Sequence, residues 1–230
     1  MNRENAKKII DDTLSAIFGE NDLGVEQVLE KFAFDVKLPQ EVFDATTGEK
    51  TWAASVNPTR FITQNNSYKR TDSWMQEKVV PSSLSQLLSL WDKVNYTTTE
   101  RVYESECVSE SDTIYNSENV WRSSNCNNCK NIAFCDGCHA SEYLVASSRS
   151  GNCNYCLRVD DSSDCSNSYN IVCSGKIANS FFIQDCGSLS DCMFCSHISN
   201  KRYCIANMQF TAEEFFEYKR QIVRWILTGD

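Results

Sequence analysis

The sequence predicts an α+β chain: a small α/β amino-terminal domain, then a cysteine-rich β-solenoid of five to six coils, closed by a C-terminal capping α-helix. Three observations lead there. All 13 cysteines lie between Cys107 and Cys204, so composition changes abruptly near residue 103. Sliding the chain by 39 residues superposes Cys126 on Cys165, Asn131 on Asn170, Ile132 on Ile171, Ser141 on Ser180, Cys153 on Cys192, Cys156 on Cys195 and Cys165 on Cys204. A half-period of 19 to 20 residues, as from Cys107 to Cys126 or Cys153 to Cys173, points to one coil of that size. The boundaries that follow are 1–100, 101–209 and 210–230.

In the first segment Ile9, Ile10, Leu14, Ile17 and Phe18 recur at helical spacing and stop at Gly19, and a second helix is expected from Val25 to Phe32. Phe34 to Leu38 reads as a strand. Val42 and Phe43, the Thr46-Thr47-Gly48-Glu49 turn and Thr51 to Ala53 suggest a hairpin. Asn57-Pro58 marks a turn, and Tyr68 to Lys78 is polar and unassigned. Ser82 or Ser83 caps a helix with Leu84, Leu87, Leu88, Leu90, Trp91 and Val94 on its apolar side.

From Thr97 the chain becomes short apolar pieces such as Thr113-Ile114-Tyr115, Asn131-Ile132-Ala133-Phe134 and Phe181-Phe182-Ile183, punctuated by Ser, Asn, Asp and Cys. Each is too short for a helix and rich in β-branched or aromatic residues, so each reads as a strand between turns. No proline follows Pro81, which fits strands hydrogen-bonded on both edges. At roughly 4.8 Å per coil the solenoid is expected to be ~25 to 30 Å long. Thr211 and Glu214 then form a capping box for a helix carrying Phe215, Phe216, Ile222, Val223, Trp225 and Ile226. That helix covers the last coil, and residues 1–100 are expected to cap the other end.

A net charge of -9 argues against nucleic acid, and between Glu104 and Asn200 five basic residues face twelve acidic ones. No apolar run is long enough to span a membrane, and the start lacks a secretory signal. A cytoplasmic location, or incorporation into a virion, is therefore expected, with the cysteines kept as thiols. Cys126, Cys129, Cys135 and Cys138 form two C-x2-C pairs with the spacing of a zinc site. Against zinc, the 39-residue shift places Ser168, Ser174 and Ile177 at the positions of Cys129, Cys135 and Cys138. A solenoid interior accepts all of these side chains. The leading expectation is thus small, partly apolar core thiols and no cofactor, with Cys126, Cys153, Cys165, Cys173, Cys192 and Cys204 pointing inward. Clustered Asp160, Asp161 and Asp164 leave a β-helix carbohydrate-active enzyme as a further reading.

The segment Asp191-Cys192-Met193-Phe194-Cys195 through Asn200-Lys201-Arg202-Tyr203-Cys204-Ile205-Ala206-Asn207-Met208-Gln209-Phe210-Thr211-Ala212-Glu213-Glu214-Phe215 resembles a pattern that closes cysteine-rich repeat arrays in uncharacterised bacterial and phage proteins. The resemblance covers about 25 residues closely, reaches loosely back to Cys107 and leaves residues 1–100 uncovered. It implies a β-solenoid followed by a helix and no catalytic residue. The expected function is a non-enzymatic structural protein that works through protein–protein interaction, as a rigid subunit or decoration of a larger assembly such as a phage particle, with homo-oligomers among its partners. The alternatives are a cytoplasmic zinc-binding adaptor and the carbohydrate enzyme. Trp52, Trp74 and Trp121 are candidate interface anchors.

Overall fold

A computed structural model describes residues 2–56, 59–71 and 74–229; the Asn57-Pro58 turn lies outside them. The β-solenoid and the C-terminal helix are present, but the coil is smaller than the cysteine spacing suggested. Parallel partners stand twelve residues apart: Lys130 faces Glu142, Glu142 faces Asn154 and Asn154 faces Ser166. Further along, Tyr169 faces Phe181, which faces Met193, which faces Ile205. From Glu104 to Ala206 every third residue has positive φ, Gly137 included. Each coil is therefore a square of four three-residue sides, the left-handed residue turning each corner. There are about nine coils, not five to six, giving a rod ~43 Å long at the usual strand spacing.

This geometry explains the misread period. A shift of 39 residues is three coils plus one side, so it carries interior positions onto interior positions of the neighbouring face. The 19- and 20-residue spacings instead join interior cysteines to Cys107 and Cys173, which sit at exposed corners. Cys173 is thus the one residue of the six expected to point inward that does not; the other five are buried.

In each side the first residue points inward, the second outward, and the third forms the corner. The inward series runs Ile114, Val120, Cys126, Cys129, Ile132, Cys135, Cys138, Leu144 and on to Cys204, and it packs as one core. Left-handed backbone costs an L-residue with a Cβ roughly 1–2 kcal/mol, and fifteen of the thirty-five corners are Asn, Asp or Gly, which tolerate it best. The remaining corners are held by the ladder. A corner N–H donates to the carbonyl thirteen residues earlier, as from Asn116 to Tyr103 at 3.0 Å. The outward residue's N–H donates to the carbonyl eleven residues later, as from Glu118 to Cys129 at 2.9 Å.

The third N–H of a side points into the core, and where a serine stands one coil below, its hydroxyl supplies the partner. The Ser117 hydroxyl donates to the Tyr115 carbonyl at 2.6 Å and accepts the Cys129 N–H of the next coil at 3.0 Å. Ser123, Ser141, Ser147, Ser162, Ser168, Ser174 and Ser180 accept in the same way. Interior polarity here is a hydrogen-bonded column that satisfies backbone otherwise costly to bury.

One outward column is apolar: Trp121, Ala133, Val145, Leu157, Tyr169, Phe181 and Met193. Helix α1 (Arg3–Phe18) lies along it, its buried face Ala6, Ile10, Leu14, Ile17 and Phe18. Its sixteen residues make ~24 Å of helix, the height of about five coils. Helix α2 (Val25–Phe32) continues the cover, with Phe18 and Phe32 edge-on to Tyr169 at 5.3 and 5.7 Å. Phe34 to Leu38 is not a strand; it is the turn after α2, pinned where Arg158 pairs with Asp35 at 2.8 Å and donates to the Phe32 carbonyl. The first helices therefore sheathe a flank and do not cap an end, because the apolar column leaves the flank as the surface that needs covering.

A compact unit sits at the first coil. Strand β1 (Gln40–Phe43) pairs antiparallel with β2 (Lys50–Ala53), and β3 (Arg60–Thr63) leads into α3 (Gln64–Lys69). Helix α4 (Leu84–Asp92), capped by Ser83, precedes β4 (Tyr96–Thr99), which is parallel to β3. Buried Asp44 ties the unit together by accepting from Thr46, the Thr63 N–H and Asn66. Buried Asp112 ties it to the rod, accepting from Arg101 and from the Ala54 N–H at 2.8 Å. At the far end Cys204–Ile205 and Met208–Gln209 close an antiparallel hairpin. Helix α5 (Ala212–Thr228) starts at the Thr211–Glu214 capping box, packs Phe215 on Tyr203 and runs back until Trp225 meets Phe182.

Candidate interaction surfaces

The thiols singled out by spacing are core residues. Cys126, Cys129 and Cys135 share one coil, and Cys138 lies above Cys126; all four are fully buried. Each Sγ–H is directed at the carbonyl two residues back, at 3.1 Å for Cys126 and 3.4 Å for Cys129 and Cys135, as the serine hydroxyls are. Burial pushes the Cys129 thiol up to about 11. The Cys126 thiol is raised by the neighbouring Cys138 thiol and by burial, and the Cys135 thiol by burial and by Cys138. Among the described residues no three His, Cys, Asp or Glu side chains come together in a group able to hold a metal.

Asp160, Asp161 and Asp164 do not converge. Asp160 faces outward and accepts from Ser148 at 2.6 Å and Arg149 at 2.8 Å, while Asp161 and Asp164 occupy successive corners. Both histidines are on the outside: His139 lies across Gly151, where any Cβ would collide with the imidazole, and His197 is at a corner.

The outer faces are occupied by stacks of like residues one coil apart. Tyr143 lies on Tyr155 at 4.4 Å, Phe182 on Phe194 at 4.7 Å and Tyr103 on Tyr115 at 4.9 Å, all nearly parallel. Asn119 donates to Asn131 at 2.9 Å. Of the tryptophans proposed as anchors, Trp121 is buried under the helical flank, and Trp52 and Trp74 are half-buried.

Two features stand apart from this saturated rod. Helix α4 has no buried residue, and Leu84, Leu87, Leu88 and Trp91, at helical spacing, are 70, 49, 50 and 53% exposed. Met75 and Val80 beside it in sequence are exposed as well. The second feature is a cavity of about 490 Å³ between the first coil and the β1–β4 unit. Sequence reasoning found the α4 stripe as the apolar side of a Ser-capped helix, without assigning what it meets. It missed the cavity, whose walls come from segments fifty residues apart. No helix among the described residues is long and apolar enough to cross a membrane. The chain matches no protein-family model, no curated protein and no solved structure.

Proposed function

We propose that the protein is a non-enzymatic interaction subunit, a rigid β-solenoid placed in a larger assembly by the apolar face of α4. The observation that carries this is the exposure of four large side chains on one helix of nine residues in which none is buried. Such a stripe is the signature of a helix that completes its packing in a groove of another chain. A second copy is the poorer occupant. Among the described residues the mainly apolar depression, between Lys31, Tyr169, Phe182 and Trp225, holds only about 190 Å³, too little for four such side chains. A phage particle as the setting rests on the sequence resemblance alone.

The test is to isolate the native assembly carrying Ser85→Cys on α4 and cross-link from that thiol. Cross-links into a different protein, lost when Leu84, Leu88 and Trp91 are changed to Gln, support the reading. Cross-links only to a second copy, or a lone monomer that hydrolyses polysaccharide, overturn it.

A further inference from the structure

We propose that the cavity at the mouth of the solenoid binds an extended segment of another polypeptide, which adds as a strand beneath Glu106–Ser109 and sets a lysine or arginine against Glu100. The proposal rests on the reading of the chain as an interaction protein but uses a surface separate from α4.

The first argument is the open edge. Strand Glu106–Ser109 has one partner, Glu118–Trp121 above it. In later coils each corner N–H donates downward to the carbonyl thirteen residues earlier, as Arg122 does to Ser109 at 3.2 Å. Cys107 and Glu110 are corners of the first coil, with no coil below to supply that carbonyl. A row of free main-chain groups is a template for strand addition.

The second argument is room. The cavity of about 490 Å³ lies against the first inward residues, Val102, Ser105, Val108 and Ser111, with Trp52 and Gln64 on the opposite wall. Gln64 already shows the bonding an added backbone would make, since its side-chain carbonyl accepts the Val102 N–H at 2.7 Å.

The third argument is charge. Glu100 and Glu110 line the cavity, and no lysine or arginine does. Glu110 is met by Arg122 at 3.6 Å from outside. Among the described residues Glu100 has no cation within salt-bridge distance; its charged neighbours are Asp112 and Asp44. Desolvation accordingly holds its carboxyl above the usual range. A half-buried carboxylate that is hydrogen-bonded by Thr51 and the Trp52 N–H but has no ion-pair partner among the described residues recognises a cation delivered into the same cavity. A second copy docked mouth to mouth would bring acid to acid, and the far end of the rod is closed by its hairpin.

The experiment uses the full chain and a dye-labelled nine-residue peptide of alternating threonine and valine with lysine at its centre, followed by fluorescence anisotropy. Binding is expected to be at least tenfold tighter than for the same peptide with central glutamate. It should fall at least fivefold for Glu100→Gln and for a peptide N-methylated at alternate amides, and persist when Leu84, Leu88 and Trp91 are changed to Gln. That last arm separates failure of this site from failure of the α4 reading, and thermal melting checks that Glu100→Gln is folded. Equal binding of the lysine and glutamate peptides, no binding of either, unchanged affinity of Glu100→Gln, or oligosaccharide cleavage in the cavity would overturn the proposal.

Discussion

The solenoid and the β1–β4 unit at its mouth treat their apolar surface in opposite ways. In the rod the interior core and the apolar column from Trp121 to Met193 are covered, inward by the opposite sides of the square and outward by α1, α2 and α5. In the unit from Gln40 to Thr99, Phe43, Tyr68, Met75, Val80 and the whole stripe of α4 meet solvent. A fold that satisfies itself so completely in one region and leaves another open locates its associations in the open one. The rod is the rigid part, and the unit at its mouth carries both candidate surfaces.

The sharpest way to break this comparison is to delete equal side chains in the two regions. Leu144→Ala, in the middle of the interior, should cost about 3 kcal/mol through lost burial and the cavity left behind. Leu87→Ala on α4 should stay within about 0.5 kcal/mol. Denaturant titration of both variants checks this, and similar losses would mean that α4 is packed in the free chain.

Next in size is the serine column. Ser147 donates to the Val145 carbonyl at 2.9 Å and accepts the Val159 N–H at 3.0 Å. Ser147→Ala strands that buried N–H and should cost about 1–3 kcal/mol. Ser147→Cys should cost clearly less, because Cys135 stands in the same column one coil below. Thermal melts that rank Cys no better than Ala would show that the interior thiols are space-fillers only.

Thr113 offers a change of opposite sign. It is a β-branched residue at a left-handed corner (φ 63°), and its hydroxyl is buried without a hydrogen-bond partner. Thr113→Gly removes both costs against a small entropic penalty and should stabilise by about 1 kcal/mol, read from the denaturation midpoint.

The smallest effect is a pH dependence internal to the mouth unit. Glu100 titrates above its ordinary range in the folded chain because of burial, so the folded state holds that proton more tightly than the unfolded one. Its contribution favours folding at low pH and is lost as pH rises through the raised value. The melting temperature of Glu100→Gln should therefore gain on the parent between pH 4 and pH 7. Asp44 runs the other way. Burial opposes its charge, but hydrogen bonds from Thr46, the Thr63 N–H and Asn66 outweigh that and hold its carboxyl well below the usual range. It stabilises at neutral pH, and that stability is lost on acidification. Scanning calorimetry of Glu100→Gln and Asp44→Asn at both pH values tests the two signs.

The sequence announced the solenoid through residues that obey the side period. Cys126, Ile132, Cys153 and Cys165 align under the 39-residue shift because all four numbers are multiples of three. It concealed the coil size because all four sides of the square draw on the same small set of inward residues. No column is marked as first, and two corner cysteines supplied a false spacing. The helices α1, α2, α4 and α5 were legible from apolar spacing and from Ser83 and Thr211 as caps. What each would cover was not, since that depends on one apolar column from Trp121 to Met193 that appears only once the chain is wound at twelve. The mouth cavity was illegible for the same reason: Trp52, Glu100 and Glu110 become neighbours through topology.

The twelve-residue square also governs how such a chain changes length. Losing or gaining three residues preserves inward, outward and corner roles, yet turns everything downstream by a quarter revolution and carries the downstream part of the apolar column away from α1 and α2. Only a step of twelve codons keeps the helical flank in register. The gene should therefore tolerate duplication or deletion of twelve codons within the rod, moving its two ends apart or together by one coil, while shorter in-frame changes unseat the helices that sheathe it.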